Sequence, residues 1–258
     1  MSVNLTIRDR VAYLSFDRPE QLNSITEDVI DELAGAIAEV AGASTVVALV
    51  IQGTGSAFCV GLDIDLLDRG FDDPDYFKSI LHRFGHVLRD LEALDVPVIA
   101  AVNGITRAGG MELMLASDLV VAAEEAKIGD VHTSFGVMPG GGSTQRLPRK
   151  IGDQKAKELI LTARWLSAVE AQAYGLVLSV APLQELAAHT EELLDELRLK
   201  PASVLRAVKR AMRRGADLPL DEALDVEIDE FLQHLTAESS DSREGFRAFR
   251  EGRAPNWH

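Results

Sequence analysis

A single cysteine, Cys59, stands among the 258 residues, so no intrachain disulfide can form and a secreted, disulfide-built scaffold is excluded. Cations are scarce as well: 26 Lys and Arg against 41 Asp and Glu leave a formal charge of −15. That charge repels a polyanionic backbone, and aromatics make up only 5% of the chain, with no basic cluster among them; nucleic acid is not an expected partner. A small phosphate-bearing ligand is not barred, because local cations and helix N-termini decide its binding. No apolar run approaches the roughly 18 residues of a membrane span, and the N-terminus lacks the basic-then-apolar pattern of a secretory signal. These absences point to a soluble protein of a reducing cytoplasm, with no membrane partner.

Several catalytic signatures are missing too. Gly53-Thr54-Gly55 follows a predicted strand, but the third position of a dinucleotide fingerprint is Phe58 and no helix opens there. No Gly-Lys pair exists, which removes a Walker-type phosphate loop. His132-Thr133-Ser134-Phe135-Gly136 resembles a nucleophile elbow whose leading glycine has become histidine. His82 and His86 have metal-ligand spacing, yet they fall on the polar face of a predicted helix with no acid between them, so no metal site is expected.

What is present reads as an α/β chain with 47% hydrophobic residues, enough for a substantial core. Residues 3–16 alternate apolar and polar, predicting two strands joined at Arg8-Asp9-Arg10. Ser24-Ile25-Thr26-Glu27 has capping-box spacing ahead of a helix carried by Val29, Ile30, Leu33, Ile37 and Val40. Residues 46–51 form a buried-type strand, 74–94 an amphipathic helix, and 98–102 and 119–122 two more strands separated by a turn and a helix over 110–116. Beyond Pro148 no strand is predicted; residues 155–162, 167–174, 183–197, 202–214 and 220–235 all read as helices.

Two glycine-bearing turns follow buried strands, one over Cys59-Val60-Gly61-Leu62-Asp63-Ile64 and one over Arg107-Ala108-Gly109-Gly110-Met111-Glu112. Backbone amides at such turns, above all where a helix begins, are unpaired donors able to stabilise an oxyanion. Glu112 falls in the first turn of the second helix. From spacing alone it is either a partner of the helix dipole or a general base beside an anion site.

The segments 18–25 (RPEQLNSI), 57–64 (AFCVGLDI), 103–118 (NGITRAGGMELMLASD), 136–147 (GVMPGGGSTQRL) and the C-terminal run 241–257 resemble, in order, landmarks of the enoyl-CoA hydratase/isomerase (crotonase) family. The resemblance implies a crotonase-like spiral of strand-strand-helix units over residues 1–195 and a helical C-terminal trimerisation region over 196–258. It also implies a homotrimer or a hexamer built as a dimer of trimers. The amides of Leu62 and Gly109 would form an oxyanion hole, and Cys59, Val60, Gly61, Asp63, Ile64 and Gly110 would border the CoA part of the substrate. Glu112 coincides with one of two acids of the hydratases. No cofactor is implied, since coenzyme A enters as part of the acyl-CoA substrate.

The chain departs from that pattern at the second acid, where it carries His132. Hydration needs one group to activate water and another to deliver a proton, and imidazole can take either role near neutral pH. The pair Glu112 and His132 is therefore compatible with 2-enoyl-CoA hydration, with double-bond isomerisation, or with thioester or C–C hydrolysis. A silent acyl-CoA-binding subunit is the reading from outside enzymology. Asp130 is a candidate second acid beside His132, Arg107 replaces a small residue as an acid-recognising or solvent-facing group, and Ala108 stands where glycine is usual. Cys59 reads as a packing residue.

Overall fold

The computed structural model describes residues 1–237 and 241–257. Strands β1 (Val3–Arg8) and β2 (Val11–Phe16) form the expected antiparallel hairpin. It turns on Asp9 and Arg10, both at positive φ (47° and 66°), the primed turn geometry that matches strand twist. Further strands are β3 (Ala48–Gly53), β4 (Ala57–Cys59), β5 (Val98–Val102), β6 (Ile105–Arg107), β7 (Leu119–Ala123), β8 (Lys127–Gly129), β9 (Leu166–Ser167) and β10 (Ser179–Ala181). They divide between a large sheet in the order β1-β2-β3-β5-β7-β10 and a small one in the order β4-β6-β8-β9. Each turn of the chain thus lays one strand into the large sheet and the next into the small one, and successive turns pair in parallel: β2 with β3, β3 with β5, β5 with β7, and likewise β4 with β6 and β6 with β8. This is the α/β spiral of strand-strand-helix units.

The helices are α1 (Glu27–Gly42), α2 (Ile64–Asp72), α3 (Pro74–Ala93), α4 (Gly109–Leu115), α5 (Ser143–Ile151), α6 (Asp153–Thr162), α7 (Ala168–Ala173), α8 (Leu186–Arg198), α9 (Ala202–Gly215), α10 (Leu220–Thr236) and α11 (Ser242–Glu251). Two expectations are corrected. The chain does return to strand after Pro148: β9 pairs with β8 and β10 extends the large sheet beside β7. Both are too short to show a period of two. Nor does Ser24 cap α1; Thr26 does, accepting from Val29 N, while Ser24 Oγ donates to Asp63 Oδ2 at 2.6 Å and Glu27 accepts from Tyr76 and Arg83.

The continuous apolar run of β3 follows from burial on both faces. Leu49 and Ile51 join a core with Ile30, Leu33 and Ile37 of α1 and Leu88 of α3, whereas Ala48 and Val50 face Leu186 and Leu194 of α8 and Ala202 of α9. In the C-terminal region Glu230 of α10 is 2% exposed and accepts from Arg210 Nε and Arg214 of α9, closing the two helices into a hairpin. The same hairpin leaves Met212, Leu224, Ile228 and Phe231 exposed along a groove of about 730 Å³ that Glu230 also lines.

Candidate active site

The two sheets meet where β4 and β6 end. After β4 the chain passes Val60 and Gly61 and makes a bridge with Ile25: Ile25 N donates to Gly61 O (2.8 Å) and Asp63 N donates to Ile25 O (2.9 Å). Extended backbone alternates its donors, so the Leu62 N–H between these bonds points the opposite way and finds no acceptor among the described residues. After β6, Gly109 is the first residue of α4, and its N–H is one of the orphan donors of a helix start. The two turns touch. A Cβ on Gly61, which already sits at φ +91°, would fall 2.7 Å from Gly109 N; one on Gly110 would fall 2.0 Å from Cys59 O. Only glycine at both positions lets the amides of Leu62 and Gly109 approach one another.

The approach is held under strain. Ala108, the N-cap of α4, adopts φ 48° and ψ −121°, a glycine-like conformation, while its N–H is shared between Gly129 O and Asp130 O at 3.2 Å each. Val131, a β-branched residue just before His132, sits in the left-handed region at φ 52°.

Glu112 leaves α4 and delivers its carboxylate to the start of a different helix. Oε1 accepts from Gly141 N at 2.7 Å and Ser143 N at 3.2 Å, at the N-terminus of α5. The helix-dipole reading holds in altered form: the carboxylate is a dipole partner, but of α5 rather than α4. Glu112 is 2% exposed. Burial raises its pKa, with the nearby Asp130 adding to the rise, while the charge of His132 and the two amides oppose it.

His132 opens a 3₁₀ turn after β8 (His132–Phe135) and bonds through Nδ1 to Asp130 Oδ1 at 2.8 Å, with Asp130 wholly buried. Burial works against the imidazolium, but the bond to Asp130 and the charges of Asp130 and Glu112 outweigh it, and the His132 pKa is raised. With Nδ1 committed to Asp130, Nε2 is the nitrogen left for chemistry.

The remaining candidates fall in different places. Cys59 is fully buried, and burial pushes its thiol up to about 12. Asp63 caps α2 through Asp65 N and lies 3.7 Å from Arg18. Val60 is half-buried and Ile64 is exposed, at the rim of the β4 turn. Arg107 stacks its guanidinium over Phe135, 5.6 Å from the ring centre. His82 is exposed and His86 Nδ1 bonds the His82 carbonyl; among the described residues no three His, Cys, Asp or Glu are grouped to hold a metal. Sequence reasoning missed Gly141 and Ser143, whose amides hold Glu112, although the run Gly140-Gly141-Gly142-Ser143 before a helix was the available signal. It also missed Arg146 and Glu92, described below.

Comparison with known proteins fits this arrangement. The sequence model described as enoyl-CoA hydratase/isomerase matches residues 6–258. A probable mitochondrial enoyl-CoA hydratase of Dictyostelium discoideum is 35% identical over 251 residues, covering 97% of this chain and 88% of that protein. A 1,2-epoxyphenylacetyl-CoA isomerase of Escherichia coli is 34% identical over 251 residues, 96% of this chain and 94% of that one. Among solved structures, an enoyl-CoA hydratase from Bacillus anthracis superposes with a TM-score of 0.94 at 32% identity, covering 100% of this chain and 99% of the other. A two-sheet spiral whose β4 and β6 turns touch, matched in sequence nearly from end to end, makes this chain a member of the enoyl-CoA hydratase/isomerase family.

Proposed function

We propose that this acyl-CoA-transforming enzyme adds water across the C2–C3 double bond of a 2-enoyl-CoA thioester. One observation supports this reading most: the buried Glu112 carboxylate is fixed by the Gly141 and Ser143 amides, and the nearby His132 ring is fixed through Nδ1 by the buried Asp130 at 2.8 Å. Glu112 takes a proton from water as its oxygen bonds to C3. The C2–C3 electron pair shifts to give an enolate, whose oxygen accepts from the amides of Leu62 and Gly109. Those donors act on charge that develops only in the transition state, and losing one typically costs about 3 kcal/mol of barrier. The enolate then collapses and C2 takes the Nε2 proton of His132. The raised pKa of His132 favours the protonated ring that this step requires. Proton exchange with solvent resets the pair.

In this reading residues 59–64 and Gly110 border the CoA moiety mainly through backbone, because the Cys59 thiol is buried and the Asp63 carboxylate is engaged by Ser24 and Arg18. The exposed apolar face of α9 and α10 favours residues 196–258 as the assembly region of a homotrimer or of a hexamer built as a dimer of trimers. The lone reduced thiol and the CoA thioester substrate favour a cytoplasmic location. The same Asp130-held imidazole also suits water activation at a carbonyl, so hydrolysis of a thioester or C–C bond is the second reading.

Absorbance of the enoyl-thioester band on adding crotonyl-CoA tests the proposal. The parent should lose the band rapidly, and Glu112→Gln and His132→Ala should not. Persistence of the band in the parent, with CoA-ester binding demonstrated, overturns hydration and directs the same variants to thioester hydrolysis.

A further inference from the structure

Glu112 is held by a residue that is itself held. Arg146 of α5 forms a two-pronged ion pair with Glu92 of α3, Nε to Oε1 at 2.6 Å and Nη2 to Oε2 at 2.7 Å. Its remaining Nη1 donates to the carbonyl of Gly141 at 2.6 Å, and the amide of that same residue donates to Glu112 Oε1 at 2.7 Å. Gly142 makes room for the fork: at φ +113° it takes a conformation that L side chains avoid, and a Cβ there would fall 2.1 Å from Arg146 Nη1. Arg146 and Glu92 are 17% and 37% exposed, so this pair is partly withdrawn from water and its geometry is bidentate, the arrangement that gives an Arg–carboxylate pair directional force.

We propose that Arg146, clamped by Glu92, is a positioning residue that fixes the backbone at Gly141 and thereby sets both the place and the protonation of Glu112. The chain of contacts runs from Glu92 through Arg146 and the Gly141 carbonyl to the Gly141 amide and the Glu112 carboxylate. The two groups belong to adjacent peptide units joined at the Gly141 Cα, so anchoring the carbonyl limits the torsional freedom of a residue that has no side chain to restrain it, and with it the aim of its amide. The groups facing Glu112 are few. His132 and Asp130 act on it from the turn after β8, Arg146 acts from α5, and from α3 the apolar ring of Phe84 meets the same space. Removing Arg146 takes away one of the two cations and loosens one of the two amides, and both changes disfavour the ionised carboxylate.

The inference rests on Glu112 acting as the base, and two readouts keep the claims apart. The first does not need turnover: the infrared band of the protonated Glu112 carboxyl, identified as the band absent from Glu112→Gln, is titrated in the parent, Arg146→Met, Arg146→Lys and Glu92→Gln. Arg146→Met should move the midpoint up by on the order of one pH unit. Arg146→Lys, which keeps the charge without the fork, should move it less, and Glu92→Gln should move it in the same direction while leaving Arg146 in place. The second readout is the pH profile with crotonyl-CoA, in which the acid limb of kcat/KM should follow the infrared midpoint while KM on the plateau stays within about twofold. Should Arg146→Met fail to fold, Glu92→Gln carries the test. An unchanged infrared midpoint in folded variants overturns the relay, whatever happens to melting temperature. A displaced midpoint with no crotonyl-CoA turnover in the parent keeps the relay and overturns the hydratase reading.

Discussion

Alanine at position 141 is the smallest change that reaches the carboxylate without altering its charge. A Cβ there falls 2.3 Å from Glu112 Oε2 and 2.7 Å from its Cδ, with Phe84 Cε1 at 3.0 Å on the far side. Neither neighbour yields cheaply, because Phe84 is 1% exposed and Glu112 is tied to α5. Bringing the carbon–oxygen separation to a normal contact requires the carboxylate to retreat by roughly 1 Å, and a misplacement of that size costs about 10²-fold in rate. That corresponds to about 2.7 kcal/mol of barrier. The loss should fall on kcat, measured from the enoyl-thioester band of crotonyl-CoA, and leave KM nearly unchanged, since the β4 and β6 turns are untouched. Gly140→Ala is the control: its Cβ meets only the end of the Leu81 side chain, at 3.0 Å, which can swing away. A Gly141→Ala enzyme with kcat within about threefold of the parent would refute the placement of Glu112 at the reacting carbons.

Asp130→Asn removes the group that raises His132, so the alkaline limb of the kcat profile should move to lower pH while the acid limb, set by Glu112, moves less; an unmoved alkaline limb would mean that His132 is not the proton donor. Ala108→Gly releases a backbone strain of the order of 1–3 kcal/mol against the greater flexibility of glycine in the unfolded chain, for a net gain of about 1 kcal/mol and a Tm rise of about 2–4 °C. An unchanged Tm by calorimetry would show the conformation to be relaxed. Glu112 and His132 both bind their protons more tightly folded than unfolded, so each contributes stability that is complete below its unfolded pKa and declines as pH rises through its folded one. Stability to urea should therefore fall as pH climbs from about 4.3 for the glutamate and from about 6.5 for the histidine, the unfolded values, and Glu112→Gln should flatten the first part of that slope; a parent-like slope in the variant would contradict the shift.

The elements that carry long apolar patterns were legible before any coordinates. Residues 74–94 gave α3 within a residue at one end, and 46–51 marked β3 although the strand runs from Ala48 to Gly53. What escaped were pieces too short to have a period, such as β8, β9 and α2, whose existence depends on neighbours already in place. The site divides along the same line. The two glycine turns and Glu112 could be singled out because a local feature, a glycine turn before a helix, implies free amides, whereas Leu62 and Gly109 were named only by the family resemblance. The glycine run before α5 was a local sign of free amides there, but that Glu112, about thirty residues away, takes them has no local trace. Ser24 is the counter-example: its local spacing suggested a cap, but a carboxylate from the β4 turn took its hydroxyl instead.

Histidine at the second acid position changes how the site divides its protons. Two neighbouring carboxylates differentiate by repulsion, one being kept protonated because both cannot carry charge. Glu112 and His132 differentiate by attraction: the negative charge of Glu112 favours the imidazolium, and the imidazolium favours the carboxylate. Asp130 decides the direction. It is wholly buried, one of its oxygens is committed to His132, and the other, Oδ2, has no hydrogen-bond partner among the described residues. A neutral His132 would leave two buried carboxylates without a cation between them, a costly arrangement in a low-dielectric space. The bond to Asp130 thereby favours the charged ring, and in the proposed hydration that ring is the acid and Glu112, held at the N-terminus of α5, is the base. Assigning the roles the other way round would require a proton on Glu112 and none on His132, and the two amide bonds to Glu112 and the Asp130 bond to His132 both work against that state.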